Sequence, residues 1–106
     1  GTPTYAEDLA RAILTITDKP KDKIEPGIYH YSNEGVCSWF DVAWEIVNYA
    51  NKACRVEPIE TKEYKTPAQR PMYSVLNKQK IKDKFGVEVP YWKTSLHKCL
   101  NILTNN

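Results

Sequence analysis

A chain of 106 residues, 42% hydrophobic and 26% charged, has the size and composition of one globular domain, able to bury roughly 65% of the surface its unfolded form exposes. No apolar run approaches the roughly 20 residues that span a bilayer, and the net charge of +2 comes from interleaved lysines and acids, which gives no reason to expect a membrane helix or nucleic acid. Cys37, Cys54 and Cys99 cannot all pair, none belongs to a C-x-x-C, and His30 and His97 are distant from them, so the expectation is reduced, mostly buried thiols in a cytoplasmic protein with no metal site.

The chain opens GTPTY without an initiator methionine and a helix begins almost at once, so the sequence reads as a piece cut from a longer polypeptide. No signal-peptide pattern precedes that helix. In "PTYAEDLARAIL", Ala6, Leu9, Ala10, Ile13 and Leu14 have the spacing of an amphipathic helix, which predicts a helix over 5–17 with this stripe as its apolar face. Thr4 and Glu7 form a T-x-x-E capping box, in which hydroxyl and carboxylate each satisfy one orphaned N–H. Glu7 and Asp8, being adjacent, point to different azimuths and read as capping and dipole chemistry. "TDKPKDKIEPG", from Thr17 to Gly27, is a charged, proline-broken linker.

"GIYHYSNEG" alternates as a short strand over 28–32, with Tyr29 and Tyr31 on one face and Ile28 and His30 on the other, before Asn33 to Gly35 turn the chain. Ser38 is an N-cap with Asp41 three residues on, and the helix predicted over 39–53 carries Trp39, Ala43, Ile46, Val47 and Ala50 on one face. "RVEPIE" gives a second strand over 55–59. Strand, helix and strand so closely connected predict a βαβ unit with parallel neighbours.

Residues 60–77 then show no periodicity, and an 18-residue loop within a compact domain is usually functional or disordered. Tyr64, Pro67, Pro71, Met72, Tyr73, Val75 and Leu76 supply more stiffness and apolar anchoring than a solvated linker needs. A short helix over 78–85 stops at Gly86, and a last one over 92–104 aligns Trp92, Leu96, Cys99, Leu100 and Leu103. The expected fold is therefore α/β and helix-dominated: a small βαβ unit with two short parallel strands and about four helices, in a single domain over 1–106.

The usual catalytic motifs are missing. Gly1, Gly27, Gly35 and Gly86 cannot compose a G-x-G-x-x-G or a P-loop, and there is no G-x-S-x-G and no H-E-x-x-H. No tyrosine has a lysine four residues on, the pair with which short-chain dehydrogenases move a proton. His30 reads as a packed or half-exposed strand residue. No catalytic, cofactor-binding or metal-binding residue is assigned.

"GTPTYAEDLARAI", "GIYHYSNEGVCSWFDVAWEI", "PAQRPMYSVLNKQKIKDKFG" and "PYWKTSLHKCLNIL" together resemble, in order and over nearly the whole chain, the C-terminal region of the dTDP-4-dehydrorhamnose reductases, which are extended short-chain dehydrogenases. The resemblance implies the substrate-binding lobe of a Rossmann-type reductase that makes dTDP-L-rhamnose from dTDP-4-dehydro-L-rhamnose for cell-surface polysaccharide, using NADPH or NADH. It further implies a dTDP-sugar ligand, an N-terminal Rossmann domain that carries the cofactor and the catalytic Tyr-x-x-x-Lys, a possible homodimer, and no cofactor or activity in the lobe alone. Two alternatives stay open: a non-catalytic relative such as the regulatory subunit of methionine adenosyltransferase, and a free-standing interaction module.

In "TPAQRPMYSVL", Arg70 sits between prolines, and a planar guanidinium matches the paired oxygens of a diphosphate. The resemblance implies that role, while the rival is structural: capping a helix C-terminus, or pairing with Glu60 or Glu63. Ser74 offers a hydroxyl to the ligand or to its own loop backbone. A second patch, Asn33 and Glu34 with Gly35, Cys37, Ser38 and Trp39, follows the first strand beside a helix N-terminus, where open α/β folds place ligands; its alternative is an ordinary turn and cap. Trp39, Trp44 and Trp92 read as core or domain-interface aromatics, and Phe40 as part of a face covered by the Rossmann domain.

Overall fold

The computed structural model describes residues 1–105. Its helices are α1 (Ala6–Thr17), α2 (Trp39–Tyr49), α3 (Gln79–Phe85) and α4 (Trp92–Thr104), with single 3₁₀ turns at Lys21–Lys23 and Thr61–Glu63. All four predicted helices are present. α2 stops earlier than predicted because Ala50 caps it and Asn51 takes a left-handed conformation, φ 51°, which asparagine tolerates better than most side chains. α3 ends at Gly86 in the left-handed conformation, φ 64°.

The caps divide. Ser38 and Asp41 form the reciprocal box at α2, Asp41 N–H donating to Ser38 Oγ (3.1 Å) and Ser38 N–H to Asp41 Oδ2 (2.8 Å). At α1 the cap position belongs to Tyr5, with no side-chain cap, so the Thr4–Glu7 box does not form. Both side chains have other partners: Thr4 Oγ1 accepts from Asn33 N–H at 3.3 Å, and Glu7 accepts from Tyr5 Oη (2.8 Å) and pairs with Arg11 one turn on (2.7 Å).

The expected βαβ unit does not form among the described residues. At its downstream end the extended segment meets 90–92 instead: Glu34 N–H donates to Pro90 O (2.8 Å), Trp92 N–H donates to Glu34 O (3.0 Å), and Glu34 and Tyr91 make an isolated parallel bridge. Pro90 has no N–H, so the pairing cannot extend into a ladder in that register. Pro58 removes a donor from 55–59 likewise, and that segment lies on the surface with Arg55 and Glu57 paired to each other at 2.7 Å.

The core gathers Ala12 of α1, Ile81 and Phe85 of α3, and Val87, with Ile16, Ile24, Tyr29, Tyr31 and Val89 packed around them. Tyr29 and Phe85 meet at 4.9 Å between ring centroids. α1 therefore turns Ala12 and Ile16 inward, and the predicted stripe outward: Leu9, Ile13 and Leu14 are all exposed. α2 and α4 pack together through Tyr49 stacked on His97 (4.7 Å) and Glu45 bonded to His97 Nε2 (2.7 Å). Of the tryptophans only Trp92 is buried, Trp39 being 85% exposed. The cysteines are free thiols, as expected, but not mostly buried: Cys54 is exposed and the other two half-buried.

Candidate functional site

The site is organised by the turn 32–37, where extended chain, α1, α3 and the start of α4 converge. Gly35 is required there twice. Its φ is 99°, and a Cβ would lie 2.7 Å from Trp92 Cδ1 and 2.8 Å from Tyr91 Cε2. The missing side chain lets the aromatic start of α4 close on the turn. Thr2 Oγ1 donates to Gly35 O, and Cys37 N–H to Gly1 O at 3.1 Å, so the first residues are stitched to the same turn.

Asn33 is fully buried at the centre. Its Oδ1 accepts from Tyr5 N–H (2.7 Å), while Nδ2 donates to Asp8 Oδ2 (2.8 Å), Pro90 O (3.2 Å) and Ser95 Oγ (3.3 Å). The Tyr5 donor and the Pro90 acceptor fix which way the amide points. Ser95 Oγ also donates to Asp8 Oδ2, so a buried carboxylate, amide and hydroxyl tie α1, the turn and α4 into one knot. Every polar atom of the Asn33 side chain is thus engaged inside the protein, and Asp8 belongs to this interior rather than to cap and dipole chemistry.

Glu34 faces two lysines. Its Oε1 lies 3.0 Å from Lys78 Nζ and its Oε2 3.2 Å from Lys82 Nζ. The hydrogen bond from Lys78, more than that from Lys82, holds the Glu34 carboxyl below the ordinary glutamate range, against the opposing effect of burial. Lys78 is itself buried, with Asn33 O at 3.4 Å and Ser32 Oγ at 3.5 Å. Sequence reasoning passed over these lysines. A signal existed, because like charges at i, i+4 are unfavourable on a helix unless an acid is shared between them.

Lys78 terminates the long loop. Residues 60–77 are exposed apart from half-buried Val75, and their own polar contacts are local: Glu60 with Glu63, Lys62 with Glu60 (2.7 Å), Thr66 Oγ1 to Ala68 O (2.6 Å), and Gln79 N–H to Asn77 Oδ1 (2.9 Å). Arg70 is exposed and joins no ion pair among the described residues, so neither Glu60 nor Glu63 holds it. Ser74 is exposed too, and its carbonyl stands against Gly1, 3.4 Å from where a Cβ on that glycine would lie. The loop and the turn are thereby brought together on either side of Gly1, with Asn33 inside, Glu34 at the boundary, and Ser74 and Arg70 outside.

A separate cleft of about 340 Å³ opens between the first turns of α2 and α4, walled by Phe40, Trp44, Tyr91 and Trp92 with Cys37, Asp41, Glu45 and Lys93; neither Arg70 nor Ser74 lines it. Burial first, and Asp41 second, push the Cys37 thiol up, which keeps it protonated and poorly nucleophilic.

The crystal structure of a dTDP-4-dehydrorhamnose reductase from Clostridium acetobutylicum superposes with a TM-score of 0.87 and 36% identity, over 98% of this chain and 36% of that one. The family model for the RmlD substrate binding domain matches residues 1–105, and the chain belongs to that family. The spore coat polysaccharide biosynthesis protein SpsK of Bacillus subtilis is 36% identical over 100 residues, 94% of this chain and 33% of its own length. The dTDP-4-dehydrorhamnose reductase of Escherichia coli K12 is 34% identical over 113 residues, 97% of this chain and 37% of its own. The chain thus spans about a third of the length of the curated relatives it matches.

Proposed function

We propose that this chain is the dTDP-sugar-binding lobe of a reductase that converts dTDP-4-dehydro-L-rhamnose to dTDP-L-rhamnose with NADPH or NADH, and that it turns nothing over by itself. The observation that carries the site is Arg70: an exposed guanidinium, in no ion pair among the described residues, between two prolines in a substrate-binding family. Its forked donors suit two diphosphate oxygens, Ser74 Oγ supplies a further donor from the same loop, and Pro67 and Pro71 reduce the ordering entropy lost on binding. Glu34 does not repel the anion, because two ammonium groups against one carboxylate leave that corner with a net charge of +1. In this reading Asn33 and Glu34 support the site from behind while Arg70 and Ser74 meet the ligand.

The residues present do not fit the nicotinamide cofactor. No glycine fingerprint and no Tyr-x-x-x-Lys occurs, so no hydride or proton step falls to this chain. Both belong to a Rossmann domain elsewhere in the parent protein, which we place against the exposed apolar residues of α1 and against Trp39; the parent is cytoplasmic and able to pair as a homodimer.

Calorimetric titration of dTDP into the full-length reductase tests the reading. Charge-assisted hydrogen bonds contribute roughly 1.5–3 kcal/mol each, so Arg70→Ala weakens dTDP binding about ten- to a hundredfold, and Arg70→Lys recovers part of it. An unchanged dissociation constant in Arg70→Ala removes the phosphate role.

A further inference from the structure

The sole buried lysine sits where the long exposed loop rejoins the fold. An ammonium has three donors, and Lys78 Nζ has three acceptors around it: Glu34 Oε1 at 3.0 Å, Asn33 O at 3.4 Å and Ser32 Oγ at 3.5 Å. The match leaves no donor over for a ligand. Glu34 is equally committed, its second oxygen being held by Lys82. Here Lys78 is buried while Glu34 stands at the boundary, 38% exposed. Burying a charge in an ion pair is no efficient route to stability, since an apolar pair of similar volume often does as well, and its best-attested use is to impose one register where several would pack.

A register is what this place requires. Ser74 precedes Lys78 by four residues and Arg70 precedes it by eight, and the loop's own polar contacts are local, lying upstream of Arg70 except at Asn77, whose Oδ1 accepts from Gln79 N–H at 2.9 Å. With Asn33 locked in the interior knot, the turn 32–34 is a fixed floor. We propose that Lys78 and Glu34 are positioning residues: the buried ammonium pins the downstream end of the 60–77 loop to the 32–34 turn and thereby sets where Ser74 and Arg70 stand. The inference rests on the reading of Arg70 and Ser74 as diphosphate contacts, and it assigns a role in binding to two residues that touch no ligand.

Two measurements test it. On the 106-residue chain, backbone ¹⁵N relaxation of Met72–Leu76 reports whether the loop end is held; on the full-length protein, calorimetry reports dTDP affinity. The variants are Lys78→Met, Glu34→Gln, Lys78→Arg as the charge-keeping rescue, and Val42→Ala in α2 as a control that costs stability away from the loop. Lys78→Met and Glu34→Gln should loosen Met72–Leu76 on the fast timescale and weaken dTDP binding tenfold or more. Lys78→Arg should restore much of both, and Val42→Ala should change neither. If Lys78→Met does not fold, Glu34→Gln against Lys78→Arg decides the matter. A loop as ordered in Glu34→Gln as in the wild type, or one that loosens with dTDP affinity unchanged, overturns the proposal. A wild-type protein that ignores dTDP while its Glu34→Gln loop loosens refutes the diphosphate reading and supports the pin.

Discussion

Asn33→Asp exchanges one NH₂ for one oxygen and leaves the shape of the buried knot untouched. In the native protein Asn33 Nδ2 donates to Asp8 Oδ2 at 2.8 Å and to Pro90 O at 3.2 Å. An aspartate there faces a carboxylate and a carbonyl with no donor unless the two acids share a proton. The folded variant therefore takes up a proton that the unfolded chain releases at neutral pH, and the sign follows from linkage. A native state that binds more protons loses stability as pH rises, starting from the ordinary aspartate value near 3.9. Each pH unit in that window costs about 1.4 kcal/mol, so moving from pH 5 to pH 7 should widen the deficit relative to wild type by about 2.7 kcal/mol. Losing the bond to Pro90 O adds roughly 1 kcal/mol at any pH. Urea unfolding followed by tryptophan fluorescence at the two pH values measures both parts. A deficit that is the same at pH 5 and pH 7 refutes the reasoning, because it would mean that the site admits water or rearranges and that Asp8 and residue 33 do not share a proton.

Other outcomes follow from the same geometry. Because Lys78 and then Lys82 hold the Glu34 carboxyl below its ordinary range, the stability this corner contributes is complete above about pH 4.3 and is lost as pH falls through the depressed value; Glu34→Gln should flatten that part of the acid-unfolding curve. Leu14→Ala, at an exposed position on α1, should change unfolding free energy by less than about 1 kcal/mol, whereas Phe85→Ala in the core should cost about 3–5 kcal/mol; equal losses would contradict the orientation of α1. Gly35→Ala should lower stability by about 2–4 kcal/mol, since the new Cβ meets the rings of Trp92 and Tyr91 and the backbone is left-handed there, and calorimetric melting checks it.

The elements governed by neighbouring residues were legible in the sequence. Periodicity located four helices, and Ser38 with Asp41, and Gly86, gave two of their ends, because caps act within one turn. What failed depended on distant partners. Thr4 was a plausible cap until Asn33 N–H claimed its hydroxyl, and the α1 stripe was a plausible core face until buried Asp8 required the opposite side to turn inward. No local rule announces that a helix will bury an aspartate; the reason lies in Asn33 and Ser95. The strands failed for a neighbouring cause, since alternation states that a segment is extended but not what lies beside it, and Pro90 limits the pairing that Glu34 found. Of the candidate site, Arg70 and its loop stood out by composition, while Lys78 looked like any surface lysine until its acceptors were in place.

The Asp8–Asn33–Ser95 knot also bears on how the chain folds. Its bonds join residues 25, 62 and 87 positions apart, so the knot is complete only when both α1 and α4 have been brought to the turn. Closing such loops costs entropy before any bond is returned, and contacts of this separation are characteristic of slow-folding topologies. α2 with its capping box and α4 can begin early from local interactions, whereas the knot closes late. A late contact scarcely changes the rate at which the barrier is climbed, but it must break before the barrier is crossed in reverse. Asn33 and Ser95 should therefore act as a latch on unfolding, with mutations there speeding the loss of the native state while leaving refolding almost as fast as in the wild type.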